Sequence, residues 1–546
     1  MDFDIAIIGG GINGVGTARD LAKRGLRVYL AEKRDFATGA TGNSSGMIHG
    51  GIRYMLSDVG VTRDSCTDSG YIQKISQNLI FRIPFLMPVY ESHKYARAFL
   101  TLSEVFFESY DTFQPRKNGK KHGRLTAQEA RVLEPGLSAA GLLGAVTTDE
   151  WGVDTYRLSM LNALDARAHG AVIENYTDVQ GLMRDASGRV TGVRTSNGER
   201  RADLVINCTG AWNVNGSFGA KVPVRPGKGI HLVFDARISD YALITFGIDG
   251  RQVFLMPHQN ESWFGTTDDD FFGDPDKPDI THDDVEYLMR AGERIFPELR
   301  KYRCFATSVG LRPTISEWGP NEDDLSREHL IIDHGPEGFM GLVSMIGGKL
   351  ASYRGMSQDL ADYAVAQLAA MPGPRRGQAA CRTHEDALPG HEQKVDATPL
   401  VNEFFIDPVA ARRLVRRHGT RARDILREGQ KTPGGLSTTC PCEPTLECEV
   451  RHVLREEWVA SPVDLVRRCR VGAGPCLGLR CAARAGQIYA EEKGGTAQDA
   501  VDAAVAIVRH AAARAAPVRT PELALQLDRV EQAIANGGGR IVGAGE

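Results

Sequence analysis

No stretch of this 546-residue sequence approaches the roughly 18 consecutive apolar residues that a membrane-spanning helix needs. Nor is there an excess of one charge: 65 basic and 69 acidic side chains leave a formal charge of -4, which argues against nucleic acid as a partner. A glycine motif beginning at Gly9 leaves no room for a signal peptide before it, so the chain is expected to work in the cytoplasm. Ten cysteines are too sparse for a disulfide scaffold in a chain of this size. Internal repeats are absent. With 42% hydrophobic and 25% charged residues the sequence has too much apolar material for disorder and is too long for one core, so several folded domains are expected.

What is present is clustered. Glycine is abundant, 60 residues, and the excess sits in short groups that suit tight turns around a ligand. Six of the ten cysteines fall between Cys440 and Cys481, whereas Cys66, Cys208, Cys304 and Cys381 are scattered. That crowding suggests a local metal site.

The run DIAII from Asp4 to Ile8 reads as a buried strand, GGGING as a turn, VGTARDLAKRG as an amphipathic helix and RVYLAE as a second strand. The middle of the chain alternates strand-like runs (RVTGVRT, ADLVINCTG, HLVF, QVFLMP) with helical ones (RLSMLNALDARAHG, HDDVEYLMRAGERIF), which predicts an α/β body with a mixed sheet. Breaks rich in proline and glycine at Met371–Gly377 and Lys431–Gly435 mark linkers. The expected division is a body over 1–371, a linker and helical segment over 372–434, a small domain over 435–492 and an alanine-rich helical tail over 493–546, ending in a frayed glycine-rich terminus. Between the breaks lies a helical stretch with seven arginines from Arg412 to Arg427, read as a solvated face in preference to a partner or lipid surface.

Gly9, Gly11 and Gly14 form G-x-G-x-x-G between a strand and a helix, where missing side chains let backbone amides approach a pyrophosphate. Glu32, at the end of the second strand, is placed to accept from ribose hydroxyls, and an acid there favours FAD or NAD over NADP. The strand RADLVINCTGAW from Arg201 to Trp212, ending in Thr209, Gly210 and Ala211, has a form that recurs in two-dinucleotide-fold flavoproteins and favours flavin over nicotinamide.

The segment TGNSSGMIHGGIRYM from Thr41 to Met55 closely resembles the one that FAD-dependent glycerol-3-phosphate dehydrogenases place against the isoalloxazine ring. FGTTD at Phe264–Asp268, VGLRP at Val309–Pro313, SREH at Ser326–His329 and GGKLASYR at Gly347–Arg354 follow in the family's order. The resemblance implies a Rossmann-like FAD domain with an inserted mixed-sheet substrate domain. It implies cofactor contacts from Gly9, Gly11, Gly14, Glu32, Lys33 and Thr41, from Ser44 and Ser45, from Val179, Thr209 and Gly210, and from Gly348, Lys349 and Leu350.

Cys440 and Cys442, then Cys476 and Cys481 after 33 intervening residues, resemble the bacterioferritin-associated-ferredoxin (BFD) type of 2Fe-2S domain, which points to the catalytic A subunit of the family's anaerobic branch. Four soft thiolates suffice for such a cluster. Zinc remains open, although structural zinc sites more often show C-x2-C pairs. Cys448 and Cys469 read as small buried residues in helices.

Oxidising a secondary alcohol requires a base for the hydroxyl proton and a hydride acceptor, which flavin supplies. Within the family motifs the expected base is His49, with His231 as competitor. Arg312 and Arg327 are expected to bind the substrate phosphate, Lys349 to contact flavin or substrate, Arg53 and Tyr54 to border the cavity, and Thr267 to hydrogen-bond the substrate. The substrate implied by the resemblance is sn-glycerol 3-phosphate, and the partners are B and C subunits that carry electrons to membrane quinone, with the chain peripheral on the inner face of the membrane. An amine or amino-acid oxidoreductase of the same fold, or a flavin and iron-sulfur relay without small-molecule turnover, are the alternatives.

Overall fold

The computed structural model describes residues 2–535 apart from 53–54, 56–58, 93–95, 216–217, 317–327, 372–376 and 378. The chain divides into two compact units. One comprises the residues up to 75 with 80–303 and 308–387, the other 76–79, 304–307 and the residues from 388 onward.

The first unit opens with β1 (Phe3–Ile8), α1 (Ile12–Lys23), β2 (Val28–Ala31), α2 (Val59–Ile75), β3 (Ile80–Tyr90), α3 (Ala96–Asp111), β4 (Gly123–Thr126), α4 (Ala127–Leu133), β5 (Leu142–Val153) and α5 (Thr155–Ala168). It continues with β6 (Val172–Glu174), β7 (Val179–Arg184), β8 (Val190–Thr195), β9 (Gly198–Asn207), β10 (Val224–Phe234), β11 (Ala242–Phe246), β12 (Gln252–His258), β13 (Glu261–Gly265), β14 (Asp269–Asp270) and α6 (His282–Glu293). β15 (Cys304–Ile315), of which the part from Ser308 belongs to this unit, β16 (His329–Asp333), β17 (Leu342–Gly347) and α7 (Tyr353–Ala369) complete it.

The strands form two sheets. The first runs β16-β17-β9-β1-β2-β6, with β7 and β8 attached through β9. β1 is parallel to β2 and to β9, with Ile7 opposite both Leu30 and Ile206. A strand with parallel neighbours on both sides is covered on both faces, which is why β1 is a continuous apolar run rather than an alternating one. The second sheet runs β14-β10-β13-β12-β11-β3-β5-β4, with β15 paired to β10. Its long antiparallel pair β3 and β5 faces the other side of the ligand cavity described below. Local sequence sets the helix starts: Asp154 accepts from the Arg157 amide at the head of α5, and Thr281 with Asp284 forms a capping box on α6.

The second unit is helical: α8 (Thr398–Phe404), α9 (Pro408–His418), α10 (Ala422–Gln430), a small ribbon of β18 (Thr438–Cys440) and β19 (Thr445–Leu446), then α11 (Glu447–Glu456), α12 (Asp464–Cys469), α13 (Ala482–Lys493), α14 (Ala497–Ala515) and α15 (Pro521–Ala535). The expected α/β body with mixed sheets and a helical C-terminal region is therefore observed. Cys448 and Cys469 are buried in α11 and α12, as expected. The linker residues 372–376 and the glycine-rich terminus from 536 lie outside the described residues.

Contrary to expectation, the arginine-rich stretch is not simply a solvated face, because Arg413 and Arg417 of α9 are buried. Arg413 pairs with Glu443, and Arg417 holds Glu449 of α11 through Nε and Nη2 at 2.5 and 2.8 Å. Charge runs give no phase information when an acidic partner arrives from a distant segment. Among the described residues no helix is long and apolar enough to cross a membrane.

Candidate active site

The first unit holds a cavity of 1260 Å³ that extends from the glycine turn after β1 to side chains of the second sheet. The three motif glycines do different work. A Cβ on Gly9 would lie 2.7 Å from the Cys208 carbonyl, and one on Gly14 1.9 Å from the Gly9 carbonyl, so these two let β9 and α1 close on the turn. A Cβ on Gly11 would meet nothing nearer than Thr41 Oγ1 at 3.4 Å and would point into the cavity. Gly11 is where a ligand needs the space. Thr41 Oγ1 accepts from the Ile12 amide at 3.1 Å, pinning the far rim of the turn.

Glu32 accepts from the Gly10 amide at 2.6 Å and the Arg34 amide at 2.9 Å. Burial pushes its carboxyl up, against the pull of those two amides. The carboxylate thus fixes the glycine turn and still faces the cavity, where ribose hydroxyls would donate to it. The other expected cofactor positions Lys33, Thr41, Ser44, Ser45, Val179, Thr209, Gly210, Gly348, Lys349 and Leu350 all line this cavity. An open cradle of backbone amides at a helix N-terminus, with an acid at the next strand end, fits FAD.

At the other end His49, Arg312 and Lys349 share the same walls. His49 sits in a segment fastened on both sides: the Ile48 amide donates to the Trp151 carbonyl at 2.9 Å, and Ser69 Oγ to the Ile48 carbonyl at 2.7 Å. The Gly50 amide donates to Glu150 Oε2 at 3.0 Å. Glu150 also receives Tyr110 Oη at 2.9 Å and the fully enclosed Lys117 Nζ at 2.7 Å. Glu150 lines the cavity, and nothing in its local sequence separates it from an ordinary strand acid.

The two histidines differ. The Gly51 amide donates to His49 Nδ1 at 3.0 Å, so the neutral ring carries its proton on Nε2, and this contact must be released before the ring accepts a proton. His231 has Nε2 at 2.9 Å from Ser45 Oγ, and its Nδ1 is buried without a partner. Burial and then the Arg312 charge lower the His231 pKa to about 3. It is a neutral wall residue with neither nitrogen open to a substrate.

Arg312 is aimed by Asp268 (2.6 Å to Nη1), Thr266 Oγ1 (3.2 Å to Nη2) and the Thr267 carbonyl (3.1 Å to Nη2). Gly229 leaves room for the guanidinium, since a Cβ there would lie 2.7 Å from Nη2. Arg251, which sequence reasoning missed, lines the same cavity. Lys349 Nζ donates to Ser65 Oγ at 2.8 Å. The Thr267 hydroxyl is not in the cavity wall: it accepts from the Ile230 amide at 3.1 Å, and Thr266 faces the cavity in its place. Arg53, Tyr54 and Arg327 lie outside the described residues.

In the second unit Cys440 interacts with Cys481, and Cys442 with Cys476, one thiol of each pair being pushed down and its partner up. The amides of Glu443 and Gly472 point at the Cys440 sulfur, and those of Gly478 and Arg480 at the Cys476 sulfur. Amides converging on sulfur suit anionic thiolates, which is what an iron-sulfur cluster or zinc requires. His418, His452 and Glu457 also bring donor atoms within 4.8 Å of one another. However, His418 Nε2 is engaged by Glu449, which pairs with Arg417, and buried Arg468 donates to the Glu457 carbonyl. The Arg417 guanidinium already supplies positive charge beside His418.

A family model described as FAD dependent oxidoreductase matches residues 4–354, and one described as the C-terminal domain of alpha-glycerophosphate oxidase matches 381–500. The chain is 34% identical over 496 residues to the A subunit of the anaerobic glycerol-3-phosphate dehydrogenase of Escherichia coli (strain K12), covering 88% of this chain and 87% of the relative. It is 32% identical over 500 residues to the A subunit of the enzyme of the same name from Haemophilus influenzae, covering 89% and 84%. Among solved structures, the glycerol-3-phosphate dehydrogenase from Bacillus halodurans complexed with FAD shares the fold with a TM-score of 0.73 at 22% identity, covering 95% of this chain and 96% of the other.

Proposed function

The chain belongs to the FAD-dependent glycerol-3-phosphate dehydrogenase family, and from that premise we propose that it oxidises sn-glycerol 3-phosphate to dihydroxyacetone phosphate and passes the electrons, through a 2Fe-2S cluster on Cys440, Cys442, Cys476 and Cys481, towards membrane quinone. The observation that carries this reading is one continuous cavity with the glycine turn and Glu32 at one end and His49, Arg312 and Lys349 at the other. Bound FAD supplies the hydride acceptor.

The protein's own groups bind, orient and move a proton. Gly9, Gly11 and the head of α1 would hold the pyrophosphate, and Glu32 the ribose. Arg312, aimed by Asp268 and Thr266, takes the substrate phosphate with a charge-assisted contact, joined by Arg327 on the strength of its motif alone. His49 receives the hydroxyl proton once its Gly51 contact opens, and Glu150 keeps the backbone beneath it in place. Lys349, which lines the cavity and donates to Ser65, would bring a positive charge beside bound FAD. Convergent amides support thiolates at Cys440 and Cys476, and the C-x-C and C-x4-C spacing favours iron over zinc. Both relatives are named as one lettered component of a larger enzyme, which supports assembly with further subunits.

Anaerobic mixing with glycerol 3-phosphate tests the substrate: the visible flavin band should bleach, whereas glycine and sarcosine should leave it. Colour retained with glycerol 3-phosphate but lost with an amine would move the chain to the amine-oxidising reading. Arg312→Ala should raise KM roughly 10- to 150-fold, the equivalent of one charge-assisted contact of about 1.5–3 kcal/mol, with flavin content unchanged. An unaltered KM would place the phosphate elsewhere.

A further inference from the structure

We infer that residues 271–279, between β14 and α6, form a clasp that retains FAD, with Asp276 as its hook. The inference rests on the FAD reading above. It starts from one carboxylate that ties together two separate strand ends. Asp276 receives Lys33 Nζ at 2.7 and 2.9 Å and Trp212 Nε1 at 2.9 Å, and Arg34 Nη1 lies 3.9 Å away. Lys33 and Arg34 follow the end of β2, immediately after Glu32. Trp212 follows the turn that leaves β9.

In the sheet, β2 and β9 are separated by β1, so no ladder hydrogen bond joins their ends. The side chains do so instead. Lys33 Nζ lies 4.7 Å and Arg34 Cζ 5.0 Å from the centroid of the Trp212 ring, within cation–π range. Gly39 gives the indole its place, since a Cβ there would lie 3.1 Å from Trp212 Cζ3. Lys33, Arg34, Gly39 and Trp212 all line the cavity at the Glu32 end, whereas Asp276 grips Lys33 and Trp212 without lining the cavity itself. A dinucleotide seated with its ribose on Glu32 is thus held in by a wall that belongs to neither strand alone. The pair is partly exposed, Lys33 at 31% and Asp276 at 45%, so its strength should be modest and sensitive to salt.

The test follows FAD release from full-length holoprotein by the rise of flavin fluorescence after dilution. Asp276→Ala should release FAD roughly three- to tenfold faster than wild type at low ionic strength. Wild-type release should speed up towards that of the variant as salt rises to about 0.5 M, while the variant responds little. Trp212→Phe, which keeps a ring and removes the indole donor, should give a smaller acceleration without loss of the salt response, because the Lys33 pair remains. The melting temperature of the variant apoproteins should equal that of the wild type. Release by Asp276→Ala at the wild-type rate and salt dependence would overturn the clasp, and so would faster release accompanied by an equally destabilised apoprotein. Wild-type protein that neither contains nor takes up flavin would instead remove the FAD reading, and the clasp with it.

Discussion

Gly11→Val should yield a folded protein without colour. The expectation separates this glycine from its neighbours. Gly11 has φ -70° and ψ 175°, a conformation open to any residue, and its nearest non-bonded neighbour to an added Cβ is the Thr41 hydroxyl at 3.4 Å. The polypeptide therefore accepts a side chain there, and the space it fills is the approach to the helix N-terminus that a pyrophosphate needs. Flavin content should fall below detection while the far-UV spectrum and melting of the apoprotein stay close to wild type. Gly14→Ala should behave differently, because its methyl would collide with the Gly9 carbonyl and disturb the turn itself, lowering stability as well as flavin content. Yellow Gly11→Val protein with full flavin content would remove the pyrophosphate from this turn.

The second large effect concerns the thiols. Cys476→Ser or Cys440→Ser should abolish the paramagnetic signal of the reduced protein and stop electron delivery to quinone, yet glycerol 3-phosphate should still bleach the flavin. The reason is the division of labour between the units: the glycine turn, His49 and Arg312 belong to the first unit and the four cysteines to the second. Each serine removes one soft anionic ligand from a set in which every thiol has a facing partner, and a cluster with three thiolates is poorly held. Cys448→Ser and Cys469→Ser should keep the signal, although a hydroxyl buried in place of either thiol will cost some stability. One equivalent of zinc and no iron in anaerobically purified wild type would overturn the relay.

Much of this was legible from local sequence. The first strand, turn, helix and second strand are encoded by a period that changes from continuous apolar to helical, and the cavity-lining Gly9, Gly11 and Glu32 follow from that unit because the fold leaves the turn one place to be. The two cysteine pairs were legible because the spacing within each is short, but that Cys440 faces Cys481 and Cys442 faces Cys476 across the 33 residues between the pairs was not. What was not legible depends on distant partners. Glu150 and Lys117 lie 33 positions apart, and only the folded sheet shows that they support the backbone beside His49. Thr266 and Thr267 are adjacent, and a one-residue difference of phase at a strand end decides which of them faces the cavity. Asp276 lies 64 residues from Trp212, in a loop whose composition suggests only solvent. The α9 arginines looked solvated because their partners, Glu443 and Glu449, are 30 and 32 residues further on.

Those buried pairs limit where the chain can be cut. Leu446 and Cys448 pack in the same apolar cluster as Leu400, Leu414 and Leu426 of α8, α9 and α10, and Arg417 with His418 holds the Glu449 carboxyl below the usual carboxylate range against the upward push of burial. A fragment begun at Gly435 would carry all four cysteines and would keep Arg470 for Glu443, but it would bring Glu449 into its interior without Arg417 and His418 to neutralise it. An unneutralised carboxylate in an apolar interior is costly enough to keep such a fragment from closing around its thiols. A portable cysteine-bearing piece of this protein should begin before Thr398, at the foot of α8, so its shortest extent is defined by the Arg417–Glu449 pair and the apolar cluster of α8 to α10 rather than by the cysteines.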